Sequence, residues 1–86
     1  AFDCSGFVKW CYAKAGISLP HSSSGQKNAG TQISVSAAQP GDILWKSGHV
    51  GIYIGGGKYI HAPNTGDVVK ISSVSGSGFV CAVRVK

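Results

Sequence analysis

The sequence predicts an α+β domain with an N-terminal helix packed on one face of an antiparallel sheet of about five strands. Three observations carry that prediction. One stretch near the amino end has helical periodicity, the chain after Gly41 turns to short β-branched and aromatic runs, and glycine-rich turns join those runs through short loops. With 86 residues, the chain is long enough for one modest core and too short for two.

From Cys4 to Ala15, apolar residues fall at Phe7, Val8, Cys11, Tyr12 and Ala15, the spacing of one buried helical face. Asp3 stands at the N-cap position and Gly16 follows as a stop. Ile17-Ser18-Leu19-Pro20 reads as an extended connector. Ser22 or Ser23 is placed to cap a second, short helix running to about Ala29, where Gly30 breaks it. Residues 31 to 40 alternate weakly around Ile33 and Val35 and end in the turn signal Pro40-Gly41.

Strands are expected at Asp42 to Trp45, His49 to Ile54 and Lys58 to Ala62, the last two joined by Gly55-Gly56-Gly57. Val68 to Ile71 and Gly78 to Lys86 supply two more. The Ser/Gly stretch from Ser72 to Gly78 is short enough for a hairpin loop between them. No internal repeat is visible.

Eight Lys and Arg against three acids give a formal charge of +5. Such a balance suits an anionic surface or polymer, or serves solubility alone. The basic residues are scattered without a cluster, and aromatic and basic residues do not interleave on adjacent strands. That pattern argues against a nucleic-acid-binding domain. No apolar run is long enough to cross a bilayer, and no signal peptide is present. Three cysteines are an odd number, read as one reactive thiol, Cys4, with Cys11 and Cys81 expected as two separate buried thiols rather than a disulfide.

Cys4 draws attention because a thiol in the first turn of a helix faces unpaired backbone N–H groups and the positive end of the helix dipole, which favour its thiolate. The alternative is a small, inert core cysteine. His49 begins one expected strand and His61 ends the next. With a turn near residue 56, the partner of residue 49 falls near 63, so the two imidazoles are near neighbours at one end of the sheet. A cysteine and two histidines so placed suit nucleophilic acyl transfer: Cys4 attacks a carbonyl, His49 takes and returns the proton, and His61 orients His49. Backbone N–H groups around Cys4 and Ser5 are placed to stabilise the oxyanion. A zinc site from the same residues needs a fourth ligand, and neither His21 nor the other cysteines have recognisable ligand spacing. No metal or organic cofactor is expected.

Four segments in order carry a family resemblance: Phe2-Asp3-Cys4-Ser5-Gly6-Phe7-Val8, Pro40-Gly41-Asp42-Ile43-Leu44, Gly48-His49-Val50-Gly51-Ile52-Tyr53-Ile54-Gly55 and Ile60-His61-Ala62-Pro63. Together they resemble the motif series of the NlpC-type cell-wall cysteine peptidases. The resemblance implies a papain-like α+β core with a Cys4, His49, His61 triad acting on peptidoglycan stem peptides. Typical members cut between D-glutamate and a diamino acid, diaminopimelate or lysine. A secreted or cell-wall-associated bacterial protein follows from the same resemblance.

The resemblance also implies substrate-binding roles for Asp3 and Ser5, where the family recognises the amino end or backbone of the stem peptide; Asp3 as a helix cap is compatible with both roles. Ser23 lies in the pattern Leu19, Pro20, Ser23, Gln26, either lining the cleft or capping a helix. His21 stands where many relatives have arginine and receives no role. Trp45 and Tyr53 are read as core or cleft-wall aromatics. Relatives carry a further N-terminal segment, with a tyrosine and a Trp-Gly-Gly sequence, that helps form the cleft. Residues 1–86 are therefore expected to be a single catalytic domain that is N-terminally incomplete, its cleft completed by that segment or by a partner. Two alternatives remain: an N-acetylmuramoyl-L-alanine amidase using the same triad, and a catalytically silent cell-wall binding module.

Overall fold

The computed structural model of the chain describes residues 3–62 and 69–85. Helix α1 spans Cys4–Lys14 and begins as its sequence dictates. The Asp3 carboxylate accepts the Gly6 N–H at 2.6 Å, filling one of the donors that a helix start leaves open. At the other end the Gly16 N–H bonds Ala13 O at 3.0 Å and the Ile17 N–H bonds Tyr12 O at 2.9 Å. That pair of bonds is a Schellman cap, and it needs the left-handed backbone of Gly16, φ 83°. Phe7, Val8 and Tyr12 are buried as expected, but Ala15 is exposed. The cap bends the chain back at Tyr12, so Ile17 and Leu19, not Ala15, extend the apolar face.

Helix α2, Ser23–Lys27, is capped by Ser22, whose hydroxyl accepts the Gly25 N–H at 3.1 Å. It ends at Lys27, two residues short of the expected end, with Asn28 as its C-cap. Its buried residue is Gln26, fully enclosed, with Nε2 donating to Ser5 O at 2.8 Å and to Pro20 O at 2.9 Å. This side chain ties the start of α1 to the connector between the helices.

Among the described residues the antiparallel sheet, expected with about five strands, has six: β1 (Thr31–Ile33), β2 (Ile43–Lys46), β3 (His49–Gly55), β4 (Lys58–His61), β5 (Lys70–Ser73) and β6 (Cys81–Arg84), all neighbours antiparallel, in the order β1-β6-β2-β3-β4-β5. The extra strand, β1, is a three-residue edge strand whose first two residues are exposed. It has too few residues for a period-2 signal, and its pairing with β6 is what makes it a strand. Val68, expected in the fourth strand, lies outside the described residues.

The hairpin expected over Ser72 to Gly78 does not form. Since every neighbouring pair is antiparallel, β5 and β6 point the same way, which a tight turn cannot achieve. The chain instead returns across the sheet and enters between β1 and β2. Three contacts hold this return: Lys46 Nζ donates to Ser77 O at 2.6 Å, the Phe79 ring meets the Tyr59 ring edge-on at 4.9 Å, and the Val80 N–H donates to Trp45 O at 2.9 Å.

Strand alternation sorts the core into two clusters. Ile43, Val50 and Val83 face α1 and pack with Val8, Tyr12 and Leu19. Leu44, Tyr59 and Ala82 face the other way, under Phe79 and Val74 of the return segment. Trp45 and Tyr53 pack against these clusters as wall aromatics, Trp45 donating from Nε1 to Ser23 O at 2.8 Å. Among the described residues, no helix is long and apolar enough to cross a membrane.

Candidate active site

The β3–β4 hairpin pairs Ile52 with Ile60 and Tyr53 with Tyr59, a register whose extension sets Gly51 against His61. His49 and His61 are thus diagonal neighbours on one face, and they touch: His49 Nε2 lies 2.8 Å from His61 Nδ1, the rings edge-to-face with centroids 5.0 Å apart. The residue between them across the ladder is a glycine for steric reasons. A Cβ on Gly51 would come within 2.8 Å of Tyr59 Cδ2 and 3.3 Å of His61 Cβ. The Val50-Gly51-Ile52 sequence carried that signal, since a glycine inside a strand marks close approach.

His61 is buried, 7% exposed, and its second ring nitrogen is also occupied: Nε2 lies 2.9 Å from Ser72 Oγ on β5. Phe79 of the return segment stacks on the His49 ring at 6.1 Å. Burial pushes the His49 imidazole below its ordinary pKa, and the His61 and Lys46 charges push the same way. Burial likewise lowers His61, with Lys46 and Lys70 adding to the effect. Both rings are held toward the neutral form.

Cys4 comes from the other side of the sheet. It opens α1 and packs at the margin of the α1-facing cluster, with Sγ 4.0 Å from Gly48 O, one residue before His49. His49 has committed Nε2 to His61, so Nδ1 is the ring nitrogen left for a thiol. Asp3 and its backbone carbonyl take the N–H groups of Gly6 and Phe7. The amides of Cys4 and Ser5 are the first-turn donors that these two bonds leave over.

The remaining sequence-selected residues fall around this centre with more local duties. Asp3 also pairs with His21, Nε2 to Oδ1 at 3.1 Å, and the hydrogen bond from His21 is the main reason its carboxyl sits below the usual range. His21, left without a role in the sequence reading, is therefore the partner of the helix cap. Ser5 is buried, 8% exposed, and its carbonyl holds Gln26. Ser23 does not cap α2, because Ser22 lies in the extended conformation that a cap needs; Ser23 instead offers its carbonyl to Trp45. Cys11 and Cys81 are free thiols, both partly exposed.

Two residues at the centre escaped the sequence reading. Ser72 stands among serines in Ser72-Ser73-Val74-Ser75, and only the β4–β5 register, Tyr59 opposite Ser72, selects it to face His61. Lys46 is one of the scattered basic residues in the sequence, and only the β2–β3 ladder sets it opposite His49.

The chain as a whole is similar to known proteins. The model of the NlpC/P60 family matches residues 1–84. Probable endopeptidase p60 of Listeria monocytogenes is 49% identical over 83 residues, covering 91% of this chain and 17% of that protein. A probable endopeptidase of Mycobacterium tuberculosis, Rv2190c, is 42% identical over 86 residues, covering 96% of this chain and 22% of that protein. The chain thus spans about a fifth of the length of these relatives. Among solved structures, the NlpC/p60 domain of the peptidoglycan hydrolase SagA superposes with a TM-score of 0.89 at 44% identity, over 99% of this chain and 78% of that one. The peptidoglycan hydrolase RipB of Mycobacterium tuberculosis gives a TM-score of 0.90 at 31% identity, over 99% and 45%. With a family match over nearly its whole length and the same papain-like fold, the chain belongs to the NlpC/P60 family.

Proposed function

We propose that this chain is the catalytic domain of a peptidoglycan hydrolase, a cysteine endopeptidase cutting stem peptides between D-glutamate and a diamino acid, diaminopimelate or lysine. The observation that carries the reading is the 2.8 Å bond between His49 Nε2 and His61 Nδ1, beside a cysteine at a helix start. A base oriented in this way, next to a potential nucleophile, is the arrangement acyl transfer requires.

In this mechanism the Cys4 thiol gives its proton to His49 Nδ1 and the thiolate attacks the scissile carbonyl carbon. The oxyanion forms against the Cys4 and Ser5 amides at the positive end of α1. His49 returns the proton to the leaving amine as the C–N bond breaks, leaving a thioester on Cys4. A water then gives its proton to His49 and attacks the thioester carbon; the C–S bond breaks, His49 hands the proton back to the Cys4 sulfur, and the acid product leaves. His61 holds His49 in the required tautomer throughout. Depressed imidazole pKa values keep the base ready at neutral pH. No metal or cofactor takes part. Asp3 and Ser5 border the nucleophile and Ser23 lies on α2, and these are the residues assigned to the stem peptide.

A net charge of +5 suits a protein working in an anionic cell wall, and secretion to that compartment belongs to the same reading. The test is to digest purified peptidoglycan with the protein and its Cys4→Ala form and identify the released fragments by mass spectrometry. New amino termini on the diamino acid, absent with Cys4→Ala, are expected. Release of intact stem peptides from the sugar selects the amidase, and full activity of Cys4→Ala refutes the nucleophile.

A further inference from the structure

The His49–His61 contact does not end the hydrogen-bonded line; it continues to β5. His61 Nε2 meets Ser72 Oγ at 2.9 Å, so the chain of contacts is His49 Nε2, His61 Nδ1, His61 Nε2, Ser72 Oγ. We propose that Ser72 is a positioning residue that selects the tautomer of His61, its hydroxyl accepting the proton on Nε2 so that Nδ1 stays bare to receive His49. This rests on the reading of His49 as the base.

The direction of the line follows from what the base must do. To take a proton at Nδ1, neutral His49 has to carry its own proton on Nε2; once it has taken it, both nitrogens carry protons. In either state Nε2–H points at His61 Nδ1, which must therefore be an acceptor. A neutral His61 with Nδ1 bare has its proton on Nε2, and Ser72 Oγ is the atom that proton meets. Were the hydroxyl to donate instead, His61 would carry its proton on Nδ1 and two N–H groups would face one another across 2.8 Å.

The build of β5 suits that duty. Lys70, Ile71 and Ser73 are exposed, and Ser72 is the residue of the strand that is shielded. Its register, Ser72 opposite Tyr59 and Lys70 opposite His61, sets its side chain on the face that carries both imidazoles. Burial of His61 excludes the water that would otherwise replace a lost partner.

The test is nitrogen-15 NMR of the imidazole side chains, at a pH above their titration, in the wild-type protein and in Ser72→Ala, Ser72→Thr and Ser72→Val. Thr and Val have nearly the same shape and both suit an edge strand, so they separate the hydroxyl from packing. Wild type and Ser72→Thr are expected to hold His61 with the proton on Nε2, while Ser72→Ala and Ser72→Val show mixed tautomers. In parallel, kcat falls about 10- to 100-fold in the Ala and Val forms with KM unchanged, and Thr restores it. A His61 tautomer that is the same in all four proteins overturns the proposal, as does a wild-type proton on Nδ1. The spectra need no substrate. A wild-type protein that shows the expected tautomer yet leaves peptidoglycan intact refutes the proposed function and leaves the assignment of Ser72 standing.

Discussion

The two faces of the sheet are built from the same strands by different rules. On β3, Val50 and Ile52 turn toward α1 into an apolar cluster with Val8 and Tyr12, while His49, Gly51 and Tyr53 turn away toward Tyr59 and Phe79. The α1 face asks only for apolar volume, and many side-chain sets satisfy that demand. The opposite face asks for particular atoms: two imidazoles, a hydroxyl, and a glycine with no room for a methyl group. A slip of one residue in register would exchange the two sets, so the apolar face keeps the polar one in place. Both faces bury apolar side chains, but the two imidazoles and the hydroxyl stand on one side alone, with Cys4 reaching the margin between them.

The comparison breaks most visibly at His49. His49→Ala is expected to lower kcat/KM by about 10⁴-fold while leaving the melting transition nearly in place, because the ring is only half buried. Steady-state hydrolysis and a thermal melt measure both, and a large drop in melting temperature alongside intact turnover would reverse the assignment of the two faces. Gly51→Ala comes next. Its methyl group meets the Tyr59 ring at 2.8 Å and Ile60 O at 3.2 Å, so His61 must shift, and a loss of about 10- to 100-fold in kcat with about 1–3 kcal/mol of stability is expected. Val83→Ala, on the α1 side, should cost about 1–3 kcal/mol as well, yet leave kcat per folded molecule unchanged. Chemical denaturation paired with active-site titration separates these two outcomes.

The smallest effect is a pH dependence of stability. Both imidazoles have folded-state pKa values below their unfolded values, so the unfolded chain binds more protons as pH falls through that interval. Their contribution is complete above about pH 6.5 and is lost on acidification through the lower folded values. Denaturant midpoints across this range should fall with pH in the wild type and fall less in His49→Ala. Equal slopes would remove the burial explanation.

Much of this architecture was legible because it is written locally. The Asp3 cap, the Gly16 stop and the helix between them depend on neighbouring residues, and the turn at Gly55 to Gly57 brought His49 and His61 together without outside help. What stayed hidden depends on distant partners. Strand β1 exists through β6, and β6 enters beside β2 as Phe79 packs over the cluster of Leu44, Tyr59 and Ala82, a choice no local turn signal encodes. Ser72 was hidden for the same reason: one serine among several acquires its role only when the β4–β5 register turns it toward His61. Gln26 stands in the Leu19, Pro20, Ser23, Gln26 pattern, yet only the fold shows that its amide holds the carbonyl of Ser5, next to Cys4.

The central claim is that the thiol at the start of α1 is activated by imidazoles from the far face. Its most direct test is the rate of alkylation of Cys4, Cys11 and Cys81 by iodoacetamide near neutral pH, followed site by site with mass spectrometry in the wild type and in His49→Ala. Burial pushes the Cys11 thiol up, making it a slow internal reference. Cys4 should react first by at least about tenfold, and that lead should shrink in His49→Ala. A Cys4 no faster than Cys11, or a lead untouched by the loss of His49, would contradict the account.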